Sequence, residues 1–332
     1  MSEENELVDA NGRVIYSNIL KKYSWIVAEN QKCIISPDSD GFLCALLMSF
    51  FFKWKIVGFY DGKILALEKE TKVADCVFLD MEIFRNYVRS LGQHIVLWNK
   101  KEMPDNWSNF DNCISPNNIR GYDGKNYFPK KYPLASIHLL LAIVGCKKKI
   151  EIKKEAICPL LYTDGTFKNL FNYPENCISW LDFLCANDNN SPLKTVFFND
   201  HYNTYSLMEA LKDFFEQLKH INKGGRGGDK IKISDSNGNP INFEKRENTF
   251  EITKEQVEKT NKFLTLLSQL TGWKFERNMW LFENLSIYKF NKGVIKPNNR
   301  NYKELITKNP ISLAMTSGSS IEYTLENSDK LP

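Results

Sequence analysis

Lys32-Cys33-Ile34-Ile35-Ser36-Pro37-Asp38-Ser39-Asp40-Gly41-Phe42-Leu43-Cys44-Ala45-Leu46-Leu47-Met48-Ser49-Phe50-Phe51-Phe52 is the stretch on which the fold turns. A four-residue apolar run meets a Ser-Pro-Asp-Ser-Asp-Gly turn, and about a dozen residues that are apolar on every side follow. That order predicts a buried strand, a tight loop and a buried helix. Further on, residues 56–60 and 64–67 are apolar runs flanking Asp61-Gly62, either a hairpin turn or a loop between neighbouring strands. Cys76–Leu79 is another strand candidate and stops at Asp80. Residues 82–91 have helical spacing closed by Gly92, and 95–98 form one more short apolar run. Strand, helix, strand, strand, helix, strand is the pattern of an α/β domain with a largely parallel sheet flanked by helices.

Around this block the organisation is looser. Residues 15–26 read as a peripheral helix. Residues 99–131 are polar and long for a connection inside a compact domain. A strongly apolar helix is expected over 134–144, followed by Lys147-Lys148-Lys149 and Lys153-Lys154, a solvated end matched to the helix dipole. A strand over 158–162 leads into Thr163-Asp164-Gly165-Thr166-Phe167. Asn187-Asp188-Asn189-Asn190-Ser191-Pro192 is the best linker signal. The chain therefore divides into an α/β domain over 1–186, a linker over 187–203 and an α+β lobe for substrate or partner over 204–332. That lobe holds helices over 207–218 and 254–270, strand-like 231–233, 242–244 and Thr249–Ile252, and a further segment over 273–290. The cluster Gly224-Gly225-Arg226-Gly227-Gly228 reads as a flexible loop, because no helix follows to add its dipole.

Composition bounds the function. The chain has 332 residues, 42% hydrophobic and 25% charged, which excludes disordered, collagenous and coiled-coil classes. Forty-four Lys+Arg against 40 Asp+Glu give +4, too little to name a nucleic-acid partner. The 8 cysteines form no CxxC pair and no zinc-type spacing, so reduced thiols are expected. An acidic start without an apolar signal segment, and no run approaching the roughly 20 residues of a membrane helix, predict a cytoplasmic protein with no membrane partner.

The chemical signal is a set of aspartates at expected strand ends. Asp38 and Asp40 lie one residue apart on the loop after the first strand, Asp80 follows Cys76–Leu79, and Asp164 follows 158–162. In α/β sheets the crevice beyond the carboxyl ends of the strands is where ligands sit. Four acids brought there from three chain segments repel one another unless a cation holds them, which points to a divalent metal site. Two ions about 3.5–4 Å apart would clamp a phosphodiester and activate water.

The same residues carry a family resemblance. Ser36-Pro37-Asp38-Ser39-Asp40-Gly41 resembles the first motif of the DHH phosphoesterases, His-x-Asp-x-Asp-Gly, and Val77-Phe78-Leu79-Asp80 resembles the second. Leu160-Leu161-Tyr162-Thr163-Asp164-Gly165-Thr166-Phe167 resembles the fourth. Asn112-Cys113-Ile114-Ser115-Pro116-Asn117 and the helix from Leu134 fall in the order that family shows between its third and fourth motifs. The resemblance covers about residues 30–185. It implies hydrolysis of a phosphodiester in a nucleotide, short oligonucleotide or single-stranded nucleic acid, with manganese (or magnesium) as cofactor; a homodimer or larger complex stays open as the assembly. By resemblance Asp38, Asp40, Asp80 and Asp164 are the catalytic metal-ligand positions.

Two departures bear on activity. Ser36 stands where the first histidine is usual, and Asn99-Lys100-Lys101 stands where the Asp-His-His triad should follow the run 95–98. His94 is a substitute metal ligand only if it lies in a loop that folds back. As part of a strand it would start about 16 Å from the strand's far end, at about 3.3 Å per residue. Lys100, Lys101, His138 and Asp123 are candidates for contact with substrate phosphate. The alternative is a catalytically degenerate DHH-like binding or assembly subunit. A third reading, a haloacid-dehalogenase-like phosphatase with Asp38 as nucleophile and Asp40 as general acid, lacks its downstream lysine and later acidic pair.

Overall fold

The computed structural model describes residues 6–225, 227–327 and 329–332; the acidic residues 1–5 and Arg226 of the glycine cluster lie outside the described residues. The strands are β1 (Lys32–Ile35), β2 (Lys55–Tyr60), β3 (Ile64–Glu68), β4 (Cys76–Leu79), β5 (Arg89–Leu91), β6 (Cys113–Ile114), β7 (Phe243–Arg246), β8 (Thr249–Ile252), β9 (Leu285–Lys289), β10 (Asn291–Ile295), β11 (Ser312–Ser317) and β12 (Ser320–Leu325). The helices are α1 (Tyr16–Lys22), α2 (Ser39–Phe52), α3 (Pro116–Arg120), α4 (Gly124–Tyr127), α5 (Ser136–Gly145), α6 (Lys154–Tyr162), α7 (Thr166–Asn172), α8 (Pro174–Phe183), α9 (Pro192–Phe197), α10 (Thr204–Ile221), α11 (Lys254–Thr271) and α12 (Asn299–Thr307).

Nine strands form one mixed sheet in the order β6-β5-β4-β1-β2-β3-β9-β8-β7. From β6 to β2 all neighbours run parallel, and from β3 to β7 they alternate. The α/β class with a parallel core flanked by helices therefore holds. The parallel half is buried on both faces, as its continuous apolar strands require. A separate three-stranded antiparallel sheet, β10-β12-β11, lies near the C-terminus.

The opening stretch folds as strand, loop and helix. Asp38 is the N-cap of α2 and its side chain accepts the Gly41 amide at 3.3 Å. Gly41 is required there, because a Cβ would stand 2.1 Å from the Ser36 carbonyl oxygen. α2 is buried on all sides, against α5, α11 and the sheet. Phe42 meets the rings of Phe263 and Trp280 at 5.9 and 6.0 Å, tying the start of α2 to residues from beyond position 250. Each such fully buried side chain contributes about 1.5–3 kcal/mol.

Of the two alternatives at Asp61-Gly62 the hairpin holds: it joins antiparallel β2 and β3, with the Asp61 side chain accepting the amides of Lys63 and Ile64. Several other expectations are corrected. Residues 82–91 are not a helix. Ile83, Phe84 and Val88 go to the core, the Arg85 guanidinium binds the carbonyls of Phe84, Pro310 and Asn309, and β5 follows at 89. Tertiary contacts override the local spacing. Residues 95–98 are not a strand: only Leu97 makes an isolated bridge, to Asp123, and β5 occupies the expected position in the sheet. Residues 158–162 belong to helix α6, so Asp164 follows a helix rather than a strand. Residues 231–233 lie outside the strands.

The 187–203 segment contains α9, whose Leu193 and Val196 are buried and which packs on α5. Beyond it, β9 pairs with β3 over Ile64–Glu68, so the C-terminal region extends the first region's sheet. Among the described residues no helix is long and apolar enough to cross a membrane.

Candidate functional site

Parallel pairing sets the site. Ile35 is in register with Leu79, and Leu79 with Leu91, so β1, β4 and β5 end side by side. The Ser36 amide then donates to the Leu79 carbonyl and the Gly92 amide to that of Ile114. Ser36, Asp38, Asp40, Asp80, Gln93 and His94 thus leave the sheet at one edge. Asp80 has φ +63° and Asp164 φ +50°, both in the left-handed region. Aspartate tolerates that region better than most residues, and such backbone occurs preferentially at functional sites.

Side-chain contacts join the acids. Ser36 Oγ lies 2.9 Å from Asp38 Oδ1 and 2.5 Å from Asp80 Oδ2. Ser136 Oγ donates to Asp80 Oδ1 at 2.7 Å. Asp40 accepts the Ser136 and Ile137 amides, at 2.7 and 2.9 Å, from the first turn of α5. Those are amides without intrahelical partners, at the end where a negative charge is favoured. Asp164 accepts from the Gln93 side chain.

The electrostatics follow from burial and crowding. Burial, then the charge of Asp80, raises Asp38 to about 6. Burial together with Asp80 and Asp164 pushes Asp40 well above the usual carboxylate range. Asp80 and Asp164 are likewise raised, by burial first, with the charge of His94 pulling each partly back. Two unit charges about 4 Å apart repel by about 4 kcal/mol at an effective dielectric near 20, so the four carboxylates bear a real cost when all are ionised.

His94 lies in the loop after β5 and joins the cluster. Its Nδ1 is 3.4 Å from Oε2 of the buried Glu82, whose other oxygen accepts the Ile95 amide at 2.9 Å. Burial would lower the imidazole; the Glu82 contact and the charges of Asp80 and Asp164 outweigh it and raise the group to about 10. The loop is pinned by Asn117, whose side-chain amide donates to the carbonyls of Gln93 and Ile95, and by the Met315 amide donating to the His94 carbonyl. Lys131 lies close enough to feel the charges of Asp164 and Glu82, and its Nζ donates to the Met315 carbonyl at 2.8 Å.

Asp38, Asp80, Glu82 and His94 open onto a cleft of about 370 Å³. One wall is the 230–234 segment; the other is β11 and β12, with Ser312, Ala314, Tyr323 and Thr324. Among the described residues no three His, Cys, Asp or Glu side chains already stand as a metal cage, their oxygens being turned onto Ser36, Ser136 and the α5 amides. The donor set itself, four carboxylates whose mutual charge works against ionisation, matches a hard divalent cation bound through oxygen.

The expected phosphate contacts fall elsewhere. Lys100 and Lys101 form a short turn capped by Asn99, with the Lys100 amide donating to Asp123, and neither lines the cleft. Asp123 is the N-cap of α4 and accepts the Asn126 amide at 2.8 Å. His138 is buried inside α5, its Nδ1 accepts the Ala135 amide, and burial lowers it to about 3. Glu82, Gln93, Asn117 and Ser136 are the site residues that sequence reasoning missed. The one available signal was Glu82, a further acid two positions after Asp80.

No family model, no curated protein and no solved structure matches this chain.

Proposed function

We propose that the chain is a divergent, metal-dependent phosphoesterase that hydrolyses a phosphodiester in a nucleotide, short oligonucleotide or single-stranded nucleic acid, similar in its motifs to the DHH phosphoesterases. The observation that carries this reading is the gathering of Asp38, Asp40, Asp80 and Asp164, three chain segments apart, at the carboxyl edge of the parallel strands beside an open cleft. Asp38, Asp40, Asp80 and Asp164 would hold the ion; His94, protonated beside Glu82, would stand next to it rather than ligate it. Manganese or magnesium so bound supplies Lewis-acid polarisation of a phosphoryl oxygen and water of lowered pKa.

The chain's own groups have distinct parts in this scheme. Asp40 is oriented by two α5 amides, one on each carboxylate oxygen. Ser36 and Ser136 hold Asp80 from two sides. His94, kept cationic by Glu82, faces the cleft where a phosphate oxygen or a leaving oxygen would lie and can give that oxygen a proton.

A second reading, a binding or assembly subunit without turnover, is favoured by Ser36 at the usual first-histidine position and by the hydrogen bonds that already satisfy the carboxylates. The two readings separate on hydrolysis of bis(p-nitrophenyl) phosphate and of short oligonucleotides with Mn²⁺, by wild type and by Asp40→Asn. Metal-dependent turnover that falls by about a hundredfold or more in Asp40→Asn supports the enzyme. No turnover with any divalent ion favours the binding subunit, and turnover that survives Asp40→Asn overturns the site assignment.

A further inference from the structure

Among the described residues, each aspartate of the cluster is held directly by neutral groups. Asp38 and Asp80 share the Ser36 hydroxyl, Asp80 also takes the Ser136 hydroxyl, Asp40 takes two amides of α5, and Asp164 takes the Gln93 side-chain amide. Neutral donors orient a carboxylate but leave its charge in place, so the repulsion inside the cluster has to be offset from further off.

Two cations stand near enough to do so. His94 lies 3.4 Å from the buried Glu82, which answers its charge. Lys131 is the other, and its place is set from several sides. The Asn176 side chain donates to the Lys131 carbonyl and the Trp180 indole to that of Lys130, both at 2.8 Å. The Tyr132 amide donates to Asn117 Oδ1 at 2.8 Å, and Asn117 Nδ2 holds the carbonyls of Gln93 and Ile95. Lys131 Nζ donates to the Met315 carbonyl, and the Met315 amide donates to the His94 carbonyl at 3.1 Å. The half-buried lysine is therefore fixed to the loop on which Gln93 binds Asp164 and His94 meets Glu82. Its hydrogen bond goes to a carbonyl, and among the described residues no carboxylate pairs with it directly. The ammonium acts on Asp164 and Glu82 through space.

A charge so placed has opposite effects on two states of the site. In the empty site it offsets the repulsion among the carboxylates. Beside a bound divalent ion it is a like charge and opposes binding. We propose that Lys131 is the internal counter-cation of the aspartate cluster, holding the metal-free site together and setting its affinity for divalent ions below what the four carboxylates alone would give. The effect on affinity rests on the metal-site reading above; the effect on the empty site does not.

The two effects are measured apart. In chelator, a double-mutant cycle between Lys131→Met and Asp164→Asn reads the charge coupling by denaturant unfolding. Lys131→Met is expected to lower stability, by an amount that shrinks by about half or more once Asp164 is asparagine, while Lys131→Arg stays near wild type. Calorimetric titration with Mn²⁺ reads the loaded state. The neutral variants Lys131→Met and Lys131→Gln are expected to bind Mn²⁺ about three- to tenfold more tightly than wild type, and Lys131→Arg within about twofold of it. A lysine that only shaped the loop would weaken the ion on removal, so an affinity that falls or stays unchanged in both neutral variants overturns the proposal. Additive effects in the cycle overturn it as well. Coupling in the cycle with no Mn²⁺ binding by any variant leaves the counter-cation standing and removes the metal site instead.

Discussion

Two atoms decide whether the aspartate loop exists at all. A β-carbon at position 41 would lie 2.1 Å from the Ser36 carbonyl oxygen and 2.5 Å from its hydroxyl, and neither backbone nor the hydroxyl bound to Asp38 and Asp80 can step aside. Gly41→Ala is expected to cost about 3 kcal/mol or more, visible as a fall in melting temperature, whereas Gly12→Ala, whose Cβ meets nothing within 4 Å, is limited to its backbone strain. The same loop fixes a pH dependence. Asp38 is raised to about 6 in the folded protein, chiefly by burial and then by Asp80. A raised acid binds its proton more tightly folded than unfolded, so the stability it contributes is complete below about pH 4 and is lost as pH rises to about 6. In chelator the melting temperature should fall across pH 4–6, with on the order of 2 kcal/mol traceable to Asp38. Asp38→Asn should flatten the curve, and Mn²⁺ should raise the melting temperature more at pH 7.5 than at pH 5. A chelated protein whose stability rises over pH 4–6 by the same amount in both variants would show that Asp38 is not the buried, crowded acid described.

At the scale of elements, what could be read from the chain and what could not have different causes. Lys32–Ile35 and the apolar run after it were legible because a short buried strand and a helix buried all round leave continuous hydrophobic stretches. The run 158–162 was misread because five apolar residues do not separate strand from helix. Over the longer window, Ala156, Ile157, Leu160 and Leu161 repeat with helical spacing and all four are buried within α6. Residues 82–91 failed for the opposite reason: a plausible local period was overridden by the burial of Glu82, which meets His94 and Ile95 in the next loop, and of Arg85, whose partners Asn309 and Pro310 lie far along the chain. His94 followed from that, since its loop lies where a strand was expected. α5 supplies a prediction at this scale. Its first turn gives two amides to Asp40 and a hydroxyl to Asp80, so Ser136→Ala should leave the helix in place, cost about 1–2 kcal/mol and weaken Mn²⁺ binding. Leu140→Ala, deep in the same helix, should cost about 2–5 kcal/mol with no selective effect on the metal.

The whole molecule is held by one sheet that both halves of the sequence build. β9 pairs with β3 along five residues, and Trp280, Phe263 and Leu285 share a core with Phe42, Leu46 and Ile56. A chain ending at residue 186 would leave the β3 edge unpaired and that core open, so it is expected to be insoluble or molten, and the full chain is expected to unfold in a single transition by calorimetry. Two separated transitions would mean that the regions are independent despite the shared sheet. The C-terminal sheet has a further role in the site: β11 fixes the His94 carbonyl through Met315 and closes one wall of the cleft. The near-neutral total charge conceals this arrangement, since acids on the floor and lysines on the wall cancel in the sum while remaining apart in space.

The central claim is that Asp38, Asp40, Asp80 and Asp164 constitute one divalent-metal site, and Mn²⁺ titration followed by electron paramagnetic resonance and calorimetry measures it directly. The account predicts saturable Mn²⁺ binding that Asp40→Asn and Asp80→Asn each weaken by about tenfold or more, while Asp123→Asn, at a helix cap away from the cluster, leaves it unchanged. Absence of Mn²⁺ and Mg²⁺ binding in the folded wild-type protein, or binding that persists undiminished in both aspartate variants, would contradict it.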